Sequence, residues 1–160
     1  MYPKISIIIP TCNSLLLDSC LNSIFEYTLN LSNIEIIVVC NSPIPIKEKY
    51  TNIKYLHFLK QIGYPKAINE GMKIATGDFV ILINDDVNIT SDSWIPLLLE
   101  PFKLDKKVGI TGPVRFLWDC GGIQRDCIAF WLACISREVI DEIGYLCEEF
   151  SPGAGEDGDY

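Results

Sequence analysis

Phe79-Val80-Ile81-Leu82-Ile83-Asn84-Asp85-Asp86 decides the fold: five apolar residues run without a break and then give way, in one step, to an amide and two carboxylates. A short continuous apolar run suits a strand covered on both faces, as in a largely parallel sheet, because a strand with one wet face alternates. Its neighbours read alike. Lys4–Pro10 (KISIIIP) and Ile34–Cys40 (IEIIVVC) are further buried strands, and Ile53–Leu59 is a third. Between them, Leu15, Leu16, Leu17, Leu21, Ile24 and Phe25 recur at helical spacing to about Tyr27, with Asn13 or Ser14 as N-cap. Tyr64–Ala75 is a second helix, with Pro65 in its first turn and Gly77 just past its end. Beyond the acidic cluster the pattern predicts a helix from about Trp94 to Leu104, a strand over Val108–Val114 and a loop or short hairpin around Gly121-Gly122. A strand near Phe130–Ile135 and a helix over Arg137–Ile143, stopped by Gly144, follow. Alternating strands and helices give an α/β class, Rossmann-like, with a mainly parallel sheet flanked by helices.

The whole chain, residues 1–160, reads as one domain large enough to bury its own core. A hydrophobic share of 49% excludes a disordered or fibrous chain, and no apolar run is long enough for a transmembrane segment. The opening Met1-Tyr2-Pro3-Lys4 enters a strand directly, without a secretory leader, so a cytoplasmic location is expected. Seven cysteines, none in a Cys-x-x-Cys spacing, read as reduced thiols; Cys120, Cys127 and Cys134 recur every seven residues, a spacing that burial explains more simply than metal ligation. A net charge of -8 argues against a nucleic-acid partner, whose phosphates need clustered Lys and Arg. It suits a cation instead.

Ligands of open α/β sheets gather beyond the carboxyl ends of the strands, which is where Asp85 and Asp86 fall. Adjacent carboxylates offer the oxygen donors that Mn²⁺ or Mg²⁺ prefers, and such an ion can neutralise charge on a departing diphosphate. The plain alternative is a polar loop ahead of a helix cap. In the tail, Gly153-Ala154-Gly155-Glu156-Asp157-Gly158-Asp159-Tyr160 packs three carboxylates among three glycines, so tight turns can present one carboxylate as a general base; its plain alternative is a flexible acidic end.

Taken in order, the motifs resemble family-2 glycosyltransferases with the GT-A fold. Ile7-Ile8-Ile9-Pro10-Thr11-Cys12-Asn13 is similar to their opening strand and loop, and Glu35–Ser42 to their second strand and turn. Ala67-Ile68-Asn69-Glu70-Gly71 with Ala75-Thr76-Gly77-Asp78 is similar to their donor-side helix. Asn84-Asp85-Asp86 stands where the family keeps its Asp-x-Asp metal motif, and Arg137-Glu138-Val139, Ile143-Gly144 and Gly155-Glu156-Asp157 follow the order of its acceptor half. The resemblance implies a nucleotide-binding half at about 1–86 and an acceptor half at about 87–160. It also implies an inverting transfer of sugar from a nucleoside-diphosphate sugar, with UDP-sugars expected first, to a hydroxyl acceptor such as a glycan. By position, Thr11 would line the nucleoside pocket, Asp86 would be the direct metal ligand and Asp85 would hold ribose or metal. Asp157 would be the base, with Glu156 as its neighbour, and Gly63 and Lys66 would approach the diphosphate. Cys40 departs from the pattern: the family usually has an aspartate there that contacts the nucleobase, a thiol bonds weakly, and Asn41 beside it is the substitute. Members also continue past the base motif, so a truncated domain of something longer is expected.

Among single residues, His57 reads as a strand residue and Trp94 as core. Trp118 and Trp131 flank the stretch expected to face the acceptor, where rings can stack on sugars. A dinucleotide oxidoreductase is disfavoured because Pro10-Thr11-Cys12-Asn13-Ser14 lacks Gly-x-Gly-x-x-Gly. The rival from another class is a non-catalytic nucleotide-sugar or glycan-binding domain.

Overall fold

The computed structural model describes residues 3–44, 46–120, 123–153 and 159–160, leaving aside the side chains of 115–120 and 123–126. Strand β1 (Ile5–Thr11) is buried at every position and pairs in parallel with β2 (Ile34–Asn41) on one side and β4 (Phe79–Ile83) on the other. β3 (Ile53–Phe58) extends the sheet beyond β2, also in parallel. Two faces must therefore be covered, and the strand residues divide by parity. Ile7, Ile9, Val38, Ile81 and Ile83 pack with helices α1 (Ser14–Glu26) and α3 (Trp94–Leu104). Ile8, Ile37, Val39, Val80 and Leu82 pack with α2 (Tyr64–Ile74) and α4 (Arg137–Ile143). Full burial of an isoleucine contributes roughly 1.5–3 kcal/mol, and both faces carry several, so the sheet centre fixes the fold.

Helix ends follow local chemistry. Asn13 caps α1, its side-chain oxygen accepting the Leu15 amide at 2.9 Å, and Ser136 caps α4 by accepting from Val139. Gly71 lets α2 lie close on the sheet: a β-carbon there would stand 2.6 Å from Ile8 Cγ2.

Past β4 the chain differs from the strictly alternating pattern. β8 (Leu132–Ser136) runs antiparallel to β4, and β5 (Ile110–Thr111) pairs with β8, giving the order β3-β2-β1-β4-β8-β5. The strand expected over Val108–Val114 shrinks to two residues because Gly112 is pressed against the Leu132 carbonyl, where a β-carbon would sit at 2.9 Å, and Pro113 has no amide to donate. Strand β6 (Arg115–Cys120) pairs antiparallel with β7 (Ile123–Ile128) in a separate two-stranded sheet, while 121–122, expected as a loop or hairpin, lie outside the described residues. No helix among the described residues is long and apolar enough to cross a membrane.

Glu35 ties the lower end of the sheet together. Its carboxylate accepts from Ser6 Oγ at 2.6 Å, Lys54 Nζ at 2.6 Å and the Thr76 amide at 2.6 Å. Burial alone would raise its pKa, but these bonds overcome that and hold it down at about 2, against an ordinary 4.5. The depressed pKa stabilises the fold fully above pH 4.5 and is lost as pH falls toward 2. With Lys54 half-exposed and screened, Glu35→Gln is expected to cost about 1–2 kcal/mol in urea unfolding at neutral pH. The cost should vanish in acid; an equal loss at both would refute the linkage.

Candidate active site

The sheet order places a switch point between β1 and β4: from β1 the chain moves outward to β2 and β3, then returns to β4 on the other side. Crevices form at such points beyond the carboxyl ends of the strands. Thr11 ends β1 there, and its hydroxyl donates to Asp85 Oδ2 at 2.5 Å across 74 residues of sequence. The bond fixes the loop after β4 to the loop after β1. Burial pushes the Asp85 carboxyl up, and the charge of Asp86 beside it adds to this, while Thr11 and the Cys12 amide pull the other way. Asp86 itself is exposed.

Beneath the pair, Cys20 of α1 points its thiol at the Asn84 carbonyl, at 3.7 Å. Burial and then the two carboxylates push its pKa up to about 12, so it stays a neutral thiol. Asn84 Oδ1 is buried and has no hydrogen-bond partner among the described residues. Its backbone is well used: the amide donates to the Trp131 carbonyl at 3.0 Å, and the carbonyl accepts from Val87 at 3.2 Å. An unmatched buried acceptor is uncommon, and this one stands in the carboxylate pair's own loop.

Among the described residues no three His, Cys, Asp or Glu side chains are grouped to hold a metal ion. Two adjacent carboxylates nonetheless fit a hard cation of the Mg²⁺ or Mn²⁺ type, since such ions commonly take one or two carboxylates and complete their shell with water and substrate phosphate. The donor set is thus suited to an ion that arrives with a diphosphate.

The other expected residues spread around the same strand ends. Cys40 is opposite Thr11 in the β1–β2 register and is 1% exposed, with burial foremost in pushing its pKa to about 11. Asn41, also buried, uses its side-chain oxygen to accept the Ile62 amide at 2.6 Å and its carbonyl to accept from Cys12 Sγ at 2.9 Å. It therefore holds the chain leading into α2. Gly63 begins that helix at φ 85, a left-handed conformation that favours glycine, and Ser151 lies where its side chain would be. Lys66, one turn later, faces Glu148 at 3.4 Å, with both side chains about half exposed.

Glu156 and Asp157 lie outside the described residues. The residues on either side of them are fixed: Tyr64 donates its amide to the Pro152 carbonyl at 2.8 Å, and Tyr160 stacks edge-on against Phe130 with ring centres 6.0 Å apart. Tyr64 also donates its hydroxyl to the Phe130 carbonyl at 2.9 Å, one residue from Trp131 and its bond to Asn84.

Asn69 was not singled out by the sequence reading. From the buried face of α2 it exchanges two bonds of 2.9 Å with the Leu146 backbone and anchors the segment that leads to the acidic tail. A polar residue inside the run Ala67-Ile68-Asn69, all three buried, was the available signal. A cavity of about 460 Å³, lined by Pro3, Ile5, Ile34, Trp94 and Lys103, opens at the other end of the strands, away from these groups.

Residues 6–126 match the sequence model described as Glycosyl transferase family 2. A poly(ribitol-phosphate) beta-glucosyltransferase of Bacillus spizizenii is 34% identical over 102 residues, which is 58% of this chain and 16% of that protein. Among solved structures, the mannosyltransferase PcManGT from Pyrobaculum calidifontis, in complex with GDP-Man and Mn²⁺, superposes with a TM-score of 0.76 at 17% identity, covering 98% of this chain and 50% of that one. GalNAc-T7 with UDP, GalNAc and Mn²⁺ gives 0.74 at 15% identity, covering 97% and 39%. S. aureus TarS 1-349 gives 0.67 at 17% identity, covering 96% and 52%. The chain thus spans about half of these structures at most, and a small part of the curated relative.

Proposed function

Because the chain belongs to glycosyl transferase family 2 and has the GT-A fold, we propose that it moves a sugar from a nucleoside-diphosphate sugar to a hydroxyl acceptor with inversion at the anomeric carbon. The observation that carries this reading is the Thr11–Asp85 bond, which places a carboxylate pair at the switch point of the sheet. Thr11 and Cys40 line the nucleoside side, and Asp85 and Asp86 face the diphosphate. A bound Mn²⁺ or Mg²⁺ supplies charge neutralisation for the departing diphosphate. Lys66 exchanges Glu148 for a phosphate oxygen, acting as a point charge, and Gly63 leaves the backbone free to approach. On the opposite side of the sugar, Asp157 accepts the acceptor hydroxyl proton while the new carbon–oxygen bond forms and the diphosphate leaves with the electron pair of the old one; Glu156 assists.

Cys40 bears on the choice of base. A neutral buried thiol offers a weak donor and a weak acceptor, so the base edge is read less strictly than by a carboxylate. In a thermal-shift screen of UDP, GDP and their sugars, each with and without Mn²⁺, at least one donor is expected to raise the melting temperature only with the ion. No shift for any of them would overturn the reading in favour of a domain without donor chemistry. Release of free nucleoside diphosphate in the presence of acceptor separates an enzyme from a binding domain.

A further inference from the structure

The cavity of about 460 Å³ at the far end of the strands is a groove with fastened walls. Along one wall Asp92, Ile95, Pro96, Leu99 and Lys103 recur at helical spacing, so they share one face of α3, with Asp92 just ahead of its first turn and Lys103 in its last. The other wall includes Tyr27, Thr28 and Leu29, where α1 ends. Trp94 Nε1 donates to Thr28 Oγ1 at 3.2 Å and ties that bend to the start of α3, while the Ile5 amide donates to the Asn33 carbonyl at 2.9 Å. The groove is therefore preformed. Its lips are apolar and open to solvent: Leu29 is 85% exposed and Leu104, the residue after Lys103, 80%. Exposed apolar surface of this kind marks a site of association.

We infer that this face pairs with the same face of a second copy of the chain, about a two-fold axis, with the two α3 helices antiparallel. In such a contact every residue i that meets residue j is matched by j meeting i, so one face must carry both halves of each pair. This face does. Antiparallel helices set the last turn of one against the start of the other, which brings Lys103 to Asp92 of the second copy. Leu104, one residue further, reaches the bend where the bond between Trp94 and Thr28 holds Leu29. An ion pair and a leucine pair thus stand on each side of the axis, with the exposed Pro96 near its middle. The inference is independent of the transfer reading, because the groove and the carboxylate pair lie at opposite ends of the strands and the acidic site of each copy stays open.

Sedimentation equilibrium of the full chain, from micromolar to millimolar concentration, tests the pairing. A concentration-dependent doubling of mass is expected. Lys103→Asp or Asp92→Lys alone sets like charges together on both sides of the axis and should weaken the dimer about tenfold or more, whereas Asp92→Lys combined with Lys103→Asp should recover most of that loss. Leu29→Ala should weaken it as well. All three positions are exposed, so the variants are expected to fold as the wild type does. A monomer at every concentration, a combined swap no better than the single changes, or a dimer indifferent to Leu29→Ala would overturn the inference.

Discussion

Asp86→Ala is expected to remove the Mn²⁺-dependent part of donor binding, so that donor affinity by titration calorimetry is the same with the ion present or chelated. Asp86 is the exposed member of the pair and Asp85 is already bonded to Thr11, so the substitution deletes the proposed ligand without touching the contact between the loops after β1 and β4. A Lewis-acid contribution of several kcal/mol corresponds to a fall in transfer rate on the order of a thousandfold. The fold should tolerate the change well. Removing Asp86 also removes one of the charges that raise the Asp85 pKa, so the metal-free protein should unfold no more easily than the wild type. Metal dependence undiminished in the variant would sink the assignment of Asp86.

Asp157→Asn should do the opposite: donor and ion bind as before, while single-turnover transfer falls by roughly 10²–10⁴, the usual contribution of a general base. Glu156→Gln provides the control, since a base shared between the two would spread the loss over both variants. Pro152 before the pair is tied to Tyr64 and Tyr160 after it is packed on Phe130, so both variants are expected to fold as the wild type does. Transfer unchanged in both variants would show that the proton goes elsewhere.

The centre of the fold was legible because its strands are uninterrupted apolar runs. Ile5–Thr11, Ile34–Asn41 and Phe79–Ile83 could hardly be read otherwise, and helix limits followed from Asn13, Pro65 and Gly144. Hydrophobic pattern carries no direction, so the antiparallel course of β8 was hidden. The shortness of β5 depends on Gly112 meeting the Leu132 carbonyl, a contact between distant segments that no local window contains. The same limit applies at the candidate site. Thr11 and Asp85 were both singled out, but their bond was invisible at a separation of 74 residues. Asn41 stands where the resemblance expects a base contact, and its side-chain oxygen also accepts the Ile62 amide, a bond that neighbouring residue types cannot reveal. Asn84 reads in sequence with its acidic neighbours, and only the structure shows its buried oxygen without a partner among the described residues.

The reversed course of β8 bears on how the chain acquires its shape. β4 finds β1 through an ordinary crossover, but its other edge pairs with residues 132–136, roughly fifty positions downstream. While a ribosome delivers that interval, the newly made sheet presents a bare row of amide and carbonyl groups beside its most apolar strand, the kind of edge on which chains stick to one another. The segment that closes the edge also brings Trp131 to Asn84, so the nascent chain loses its exposed seam and gains the border of its acidic pocket in one event.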